Sequence, residues 1–119
     1  MKYMLLIYTD HDADAARSEA NQKALINRYF TYTEELKSAG VFIAGDALEL
    51  VNTATSVRVR DGKTLSTDGP FAETKEQLGG FYMIDCEDLD AAIKWAAKLP
   101  AADHGTVEVR PIWNYSVEG

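Results

Sequence analysis

The chain has 119 residues and a formal net charge of −7, with 12 Lys and Arg against 19 Asp and Glu, and 46% of it is hydrophobic. That length fits one domain over residues 1–119, and that composition excludes disorder. Scattered cations argue against a nucleic-acid face, no stretch approaches the roughly 20 apolar residues of a membrane span, and the single Cys86 excludes an internal disulfide or a CxxC zinc site.

The run KYMLLIY, residues 2–8, puts Met4, Leu6 and Tyr8 on one side and Tyr3, Leu5 and Ile7 on the other, because strand side chains alternate. Both sides are apolar, the pattern of a strand central in a sheet covered on both faces. The run breaks into acid after Tyr8 without a cleavage-site pattern. It reads as a first strand rather than a signal peptide, and the expected compartment is the cytoplasm. Residues 10–18 are acidic and small. A helix is expected from about Glu19 to Ala39, with Leu25, Tyr29, Tyr32, Leu36 and Ala39 in one stripe, Ser18 as N-cap and Gly40 at its end.

VFIAGDALEL reads as a strand over about residues 41–48, interrupted at Gly45. TSVRVR and TLST, joined through Asp61-Gly62-Lys63, read as a hairpin with Val57 and Val59 on one face and Arg58 and Arg60 on the other. GFYMIDC, residues 80–86, is again apolar on both faces, and Cys86 reads as a small buried residue. A second helix is expected from near Asp88 to just before Pro100, burying Leu89, Ile93, Ala96 and Leu99. TVEVRPIWNY closes the chain as a strand, with Val107 and Val109 on one face and Glu108 and Arg110 on the other. Trp95 and Trp113 are expected in the core or at an interface.

The order β-α-β, hairpin, β-α-β describes an α+β fold, a ferredoxin-like sandwich with an inserted β-hairpin. Two helices cover one face of such a sheet, so the strands that are apolar on both faces call for a second copy, packed face to face as a twofold homodimer.

The segment STDGPFAETKEQLGGFY concentrates three glycines and a proline around a charged cluster. DGPFAETKEQLGGFYMIDC, with VRVRDGKTLST before it and HGTVEVRPI after it, resembles the DGPF branch of the YCII-related family, and the resemblance runs from MKYMLLIY through VEVRPI. It implies a fold similar to the dimeric α/β barrel proteins and, for many members, genes beside those of extracytoplasmic-function sigma factors. It implies no established reaction. Some members of the wider family place a His on the first helix near an Asp as an acid–base pair. Counting back from Gly40, that position here is Tyr29, whose ordinary pKa near ~10 makes it a poorer general base.

Several residues carry alternative readings. Asp68 either forms a turn, its carboxylate capping the amides of residues 70–72, or projects from a strand end into a cleft as the acid or base. Gly69 and Pro70 make that loop rigid, and Phe71 is expected to plug it onto the core. Glu73, Lys75 and Glu76 form a solvated face, or an ion pair among them orders the loop as a lid, with Glu73 and Lys75 as ligand contacts. Gly79 and Gly80 permit a bulge or a close backbone approach. Arg110 either pairs with Glu108 or anchors an anionic ligand, and Tyr29 or Tyr82 would donate a hydrogen bond to it. His11 and His104 read as solvated loop residues, too far apart in sequence for a metal motif. No GxGxxG spacing is present, so no nucleotide cofactor is expected. The leading expectation is a cofactor-independent enzyme doing acid–base chemistry on a small anionic compound. The alternative is a non-catalytic small-molecule-binding or regulatory module associated with an extracytoplasmic-function sigma factor.

Overall fold

A computed structural model describes residues 1–115. Six strands, β1 (Lys2–Thr9), β2 (Phe42–Ala47), β3 (Thr55–Arg60), β4 (Lys63–Asp68), β5 (Gln77–Asp85) and β6 (Thr106–Pro111), alternate with helices α1 (His11–Ala15), α2 (Glu19–Ser38) and α3 (Leu89–Ala97). The fold is α+β. Four strands make one antiparallel sheet in the order β2-β5-β1-β6, and β3 and β4 form a separate ribbon. No helix among the described residues is long and apolar enough to cross a membrane.

The alternation in β1 sets the two faces. Tyr3, Leu5 and Ile7 point under the helices and are buried, while Met4, Leu6 and Tyr8 point the other way and are only half-buried. Across the register Ile84, Tyr82 and Gly80 of β5 join the first set, and Met83, Phe81 and Leu78 join the second. The helical side is closed by Tyr32 and Leu36 of α2 and Ala92 and Ala96 of α3. Complete burial of Leu5, Leu36 and Ile84 stabilises the fold by roughly 1.5–3 kcal/mol each. The Tyr32 hydroxyl donates to the Trp95 carbonyl at 2.8 Å, and its ring meets Tyr82 edge-on at 5.3 Å.

Helix ends follow the sequence. The Ser18 side chain accepts from the Asn21 amide, Asp88 accepts from the Ala91 amide, and Gly40 leaves α2 with φ +73°. The hairpin turn places both Asp61 (φ 53°) and Gly62 (φ 75°) in the left-handed region, as a two-residue loop between right-twisted strands requires.

Four expectations fail in whole or in part. Residues 11–15 are helical, because the Asp10 carboxylate caps the amides of Asp12 and Ala13. Of the residues expected on the buried side of the second long helix, Ala96 and Leu99 are buried, but Leu89 and Ile93 are about half exposed and Ala92 takes their place, because a helix lying close over β6 presents its small residues to the sheet. Trp113 is 81% exposed, beyond the end of β6, which removes the core reading of it and leaves the interface one. Phe71 is 83% exposed, so it does not plug the loop onto the core. Cys86, by contrast, is buried as expected, and burial pushes its thiol pKa up.

The ribbon projects from the body. The radius of gyration is 16.6 Å, against about 13.5 Å for a compact chain of this length. Val57, Val59 and Leu65 of the ribbon are all at least half exposed. An isolated two-stranded ribbon is marginal in water.

The start of β6 is fixed by Gly105. A Cβ there would collide with the Tyr8 carbonyl oxygen and approach Thr9 Cγ2 to 2.9 Å. Gly105→Ala is therefore expected to destabilise the fold by about 1–3 kcal/mol, seen as a lower urea midpoint. An unchanged midpoint would show that β6 does not lie this close to β1.

Candidate functional site

A cavity of about 670 Å³ opens on the helix-covered side of the sheet, between the ends of β1, β2 and β5 and the first two helices. It exists because three glycines thin the sheet beneath it. Ile7 pairs with Gly80 and Tyr8 with Leu78, so Gly79 is an extra residue in a bulge. A Cβ on Gly79 would lie 3.2 Å from His11 Nε2, and one on Gly80 would lie 3.1 Å from the Asp46 carbonyl. A Cβ on Gly45 would lie 2.6 Å from the Tyr82 ring. The bulge expected at Gly79 and Gly80 is present, and it makes room for an imidazole.

His11 is the unexpected member. It stands at the first turn of α1, pulled down against the bulge, and only 7% of it is exposed. It is not the solvated loop residue expected from its acidic surroundings. Its Nδ1 is buried without a hydrogen-bond partner among the described residues. Beside it the Thr9 hydroxyl donates to Asp14 Oδ2 at 2.5 Å, and Arg17 Nη2 donates to Asp14 Oδ1 at 3.1 Å. Both Asp14 oxygens are thus engaged, and the Asp14–Arg17 pair is largely shielded from water. His11, Asp14 and Arg17 follow at i, i+3 and i+6, a helical spacing that could have flagged them.

The opposite wall comes from α2 and β5. The Thr33 hydroxyl donates to the Tyr29 carbonyl at 2.9 Å and lies 2.7 Å from the Tyr82 hydroxyl. A hydroxyl has one proton, so Tyr82 is the donor in the second contact. Burial pushes the Tyr29 phenol up to about 12, with Tyr82 and Asp14 adding to the shift, and burial also raises the Tyr82 phenol. Both phenols therefore keep their protons at neutral pH and act as donors rather than bases. Among the described residues Arg17 is the one permanent cation lining the cavity, against Asp14 and Glu49, since Asp46 is in register with Phe81 and turns its side chain to the other face.

Of the residues given a catalytic or ligand-binding role in the sequence, the cavity gathers Tyr29 and Tyr82. Asp68 ends β4 on the exposed ribbon, outside the cavity lining. The turn after it is held by Gly69 N donating to the Ala54 carbonyl at 2.7 Å and Ser56 Oγ donating to the Gly69 carbonyl at 2.8 Å. Glu73 and Lys75 are exposed on a loop organised by its neighbours, with Thr74 Oγ1 donating to the Glu76 carbonyl and Gln77 Nε2 to the Thr74 carbonyl. Arg110 pairs in register with Met4, which puts it on the face away from the helices, together with Glu108 and Tyr8. There burial and the adjacent Glu108 raise the Tyr8 phenol, and Arg110 lowers it. His104 lines the cavity but is exposed.

The domain pattern decides the family. The YCII-related domain matches residues 1–116. The chain belongs to the YCII-related family. It is also similar to an uncharacterized protein of Rhizobium meliloti (strain 1021), 38% identical over 119 residues, covering 97% of this chain and 94% of that protein. Within this YCII-related domain the glycine bulge, the buried imidazole and the two tyrosines are the features that build a cavity.

The raised phenol of Tyr29 carries a pH prediction. A group whose pKa is higher folded than unfolded holds its proton more tightly in the fold. Its contribution is full below its ordinary value of 10.0 and is lost as pH rises towards about 12. Tyr29→Phe should reduce the fall in urea midpoint across that alkaline window. Equal slopes in the two proteins would show that Tyr29 is not buried as described.

Proposed function

We propose that this YCII-related protein binds a small molecule in the helix-side cavity and moves a proton on it without a cofactor. The observation that carries the reading is His11, an imidazole that is almost wholly buried and incompletely bonded, on the wall of a cavity large enough for a ligand. Imidazole titrates near physiological pH in its ordinary state and is the commonest general acid or base. Tyr29 and Tyr82 supply hydroxyls, and Asp14 with Arg17 fixes the α1 turn from which His11 projects. Asp68 as acid or base, and Glu73 and Lys75 as ligand contacts, would require the ribbon and loop to reach a cavity, and a second copy is the source of one. Arg110 as an anion anchor would serve the open sheet face rather than this cavity.

The same reading includes the twofold homodimer. Met4, Leu6, Phe81, Met83 and Leu78 form an apolar face without a covering layer in the single chain. The strand order supports a ferredoxin-like protomer, and face-to-face packing of two such sheets would make the dimeric α/β barrel. The Asp68-Gly69-Pro70-Phe71 run supports the DGPF branch, and a cytoplasmic location belongs to the same proposal. The rival is a regulatory module that docks an extracytoplasmic-function sigma factor. Its supporting observation is the projecting ribbon, with Val57, Val59 and Leu65 exposed beside Arg58, Arg60 and Lys63.

Two measurements test this reading. Light scattering at micromolar concentration should return twice the chain mass, and a monodisperse monomer would remove the dimer. A fragment screen read by backbone amide shifts should perturb Gly45, Gly79 and Gly80 in the wild type. His11→Leu should weaken those hits while leaving the far-UV spectrum unchanged. Hits confined to the ribbon, with the cavity silent, would favour the regulatory module.

A further inference from the structure

We propose that the ligand of this cavity is an uncharged carbonyl compound with an apolar body, and that His11 meets its carbonyl oxygen as an Nε2–H hydrogen-bond donor. The inference rests on the ligand-binding reading above and adds the class of ligand.

The tautomer follows from burial. His11 Nδ1 is enclosed and unpartnered, while Nε2 faces the space beside Gly79. A neutral imidazole carries its proton on one nitrogen or the other. A buried N–H without an acceptor costs more than a buried lone pair without a donor, since orphaned donors are the rarer of the two in folded proteins. The proton is therefore placed on Nε2, where it points at whatever fills the cavity. A donor there needs an acceptor, and a carbonyl oxygen supplies it.

The charge of the lining sets the rest. Arg17 is its one permanent cation, and Arg17 is committed to Asp14 at 3.1 Å. Glu49 has no ion-pair partner among the described residues, and Asp46, in register with Phe81, turns its carboxylate to the other face and lends the cavity its backbone. A carboxylate ligand would meet the uncompensated acid of Glu49 and no free guanidinium, whereas an uncharged carbonyl gains the His11 bond without that repulsion. The phenols of Tyr29 and Tyr82, protonated at neutral pH, add no negative charge. Leu25, Phe30, Phe42, Leu48 and Leu50 provide apolar walls for the body of the ligand.

The test uses four probes that share one ring: acetophenone, benzoate, benzylamine and ethylbenzene. Each is titrated into the dimer or monomer as it exists in solution, with binding followed at the Gly45, Gly79 and Gly80 amides. Acetophenone should bind up to about tenfold tighter than ethylbenzene, the range of one net hydrogen bond, and tighter than benzoate. His11→Gln, which keeps an N–H near the Nε2 position, should retain the acetophenone preference, and His11→Leu should abolish it. Long-range proton–nitrogen NMR correlation on the imidazoles, assigned against His11→Gln because His104 is the only other histidine, should show the His11 proton on Nε2. Benzoate or benzylamine binding at least as well as acetophenone would overturn the ligand class and leave the binding reading intact. A proton on Nδ1 would overturn the donor role. No probe reaching the cavity amides would overturn both readings together.

Discussion

The imidazole of His11 lies against the sheet at Gly79, where there is no side chain to crowd it. A Cβ at Gly79 would lie 3.2 Å from Nε2, so the ring would have to give way by a few tenths of an ångström. The same residue is the bulge that shifts the register between Ile7 and Tyr8, so one glycine sets both the strand pairing and the cavity floor. From that contact the remaining site geometry follows. α1 is held by Asp10 at its N-cap and by Thr9 and Arg17 converging on Asp14, and α2 then runs across the cavity with Tyr29 and Thr33 facing Tyr82.

The two faces of the sheet have different physical characters. On the helical side burial is deep enough to raise the phenols of Tyr29, Tyr32 and Tyr82, and His11 Nδ1 is left there without a partner among the described residues. On the other side Tyr8, Glu108 and Arg110 share a surface with half-buried methionines and Phe81. A face of that kind is stable in water only if it is small or covered. The sheet therefore separates a cavity, under the helices, from an uncovered apolar face on its far side.

The ribbon shows how a conspicuous motif and a site can come apart. The DGPF run attracts notice because its residue types restrict the backbone, and Gly69 does adopt φ +101°. Restriction of the backbone says that a shape is held, and it does not say that a ligand is held. The polar cluster at Thr9, His11 and Asp14 lies in a segment whose composition resembles an ordinary acidic loop. Its chemical character comes from the sheet that buries it.

The sequence by itself determined the elements and their order. The double apolar alternation of β1 and β5, the Ser18 and Asp88 caps, the Gly40 stop and the Asp61-Gly62 turn are local preferences of backbone and side chain, which the chain carries wherever it goes. It also fixed Tyr29 on the inner stripe of α2 and the likelihood of a bulge at Gly79. Only the tertiary structure decided which polar residues meet. The nearness of His11 to Gly79, far along the chain, depends on the antiparallel register of β1 with β5, and the separation of Arg110 from Tyr82 depends on which face each strand turns to the helices. Local patterns are set by energies between near neighbours in sequence, whereas a binding site is set by the register that brings distant residues together, and no single segment encodes it.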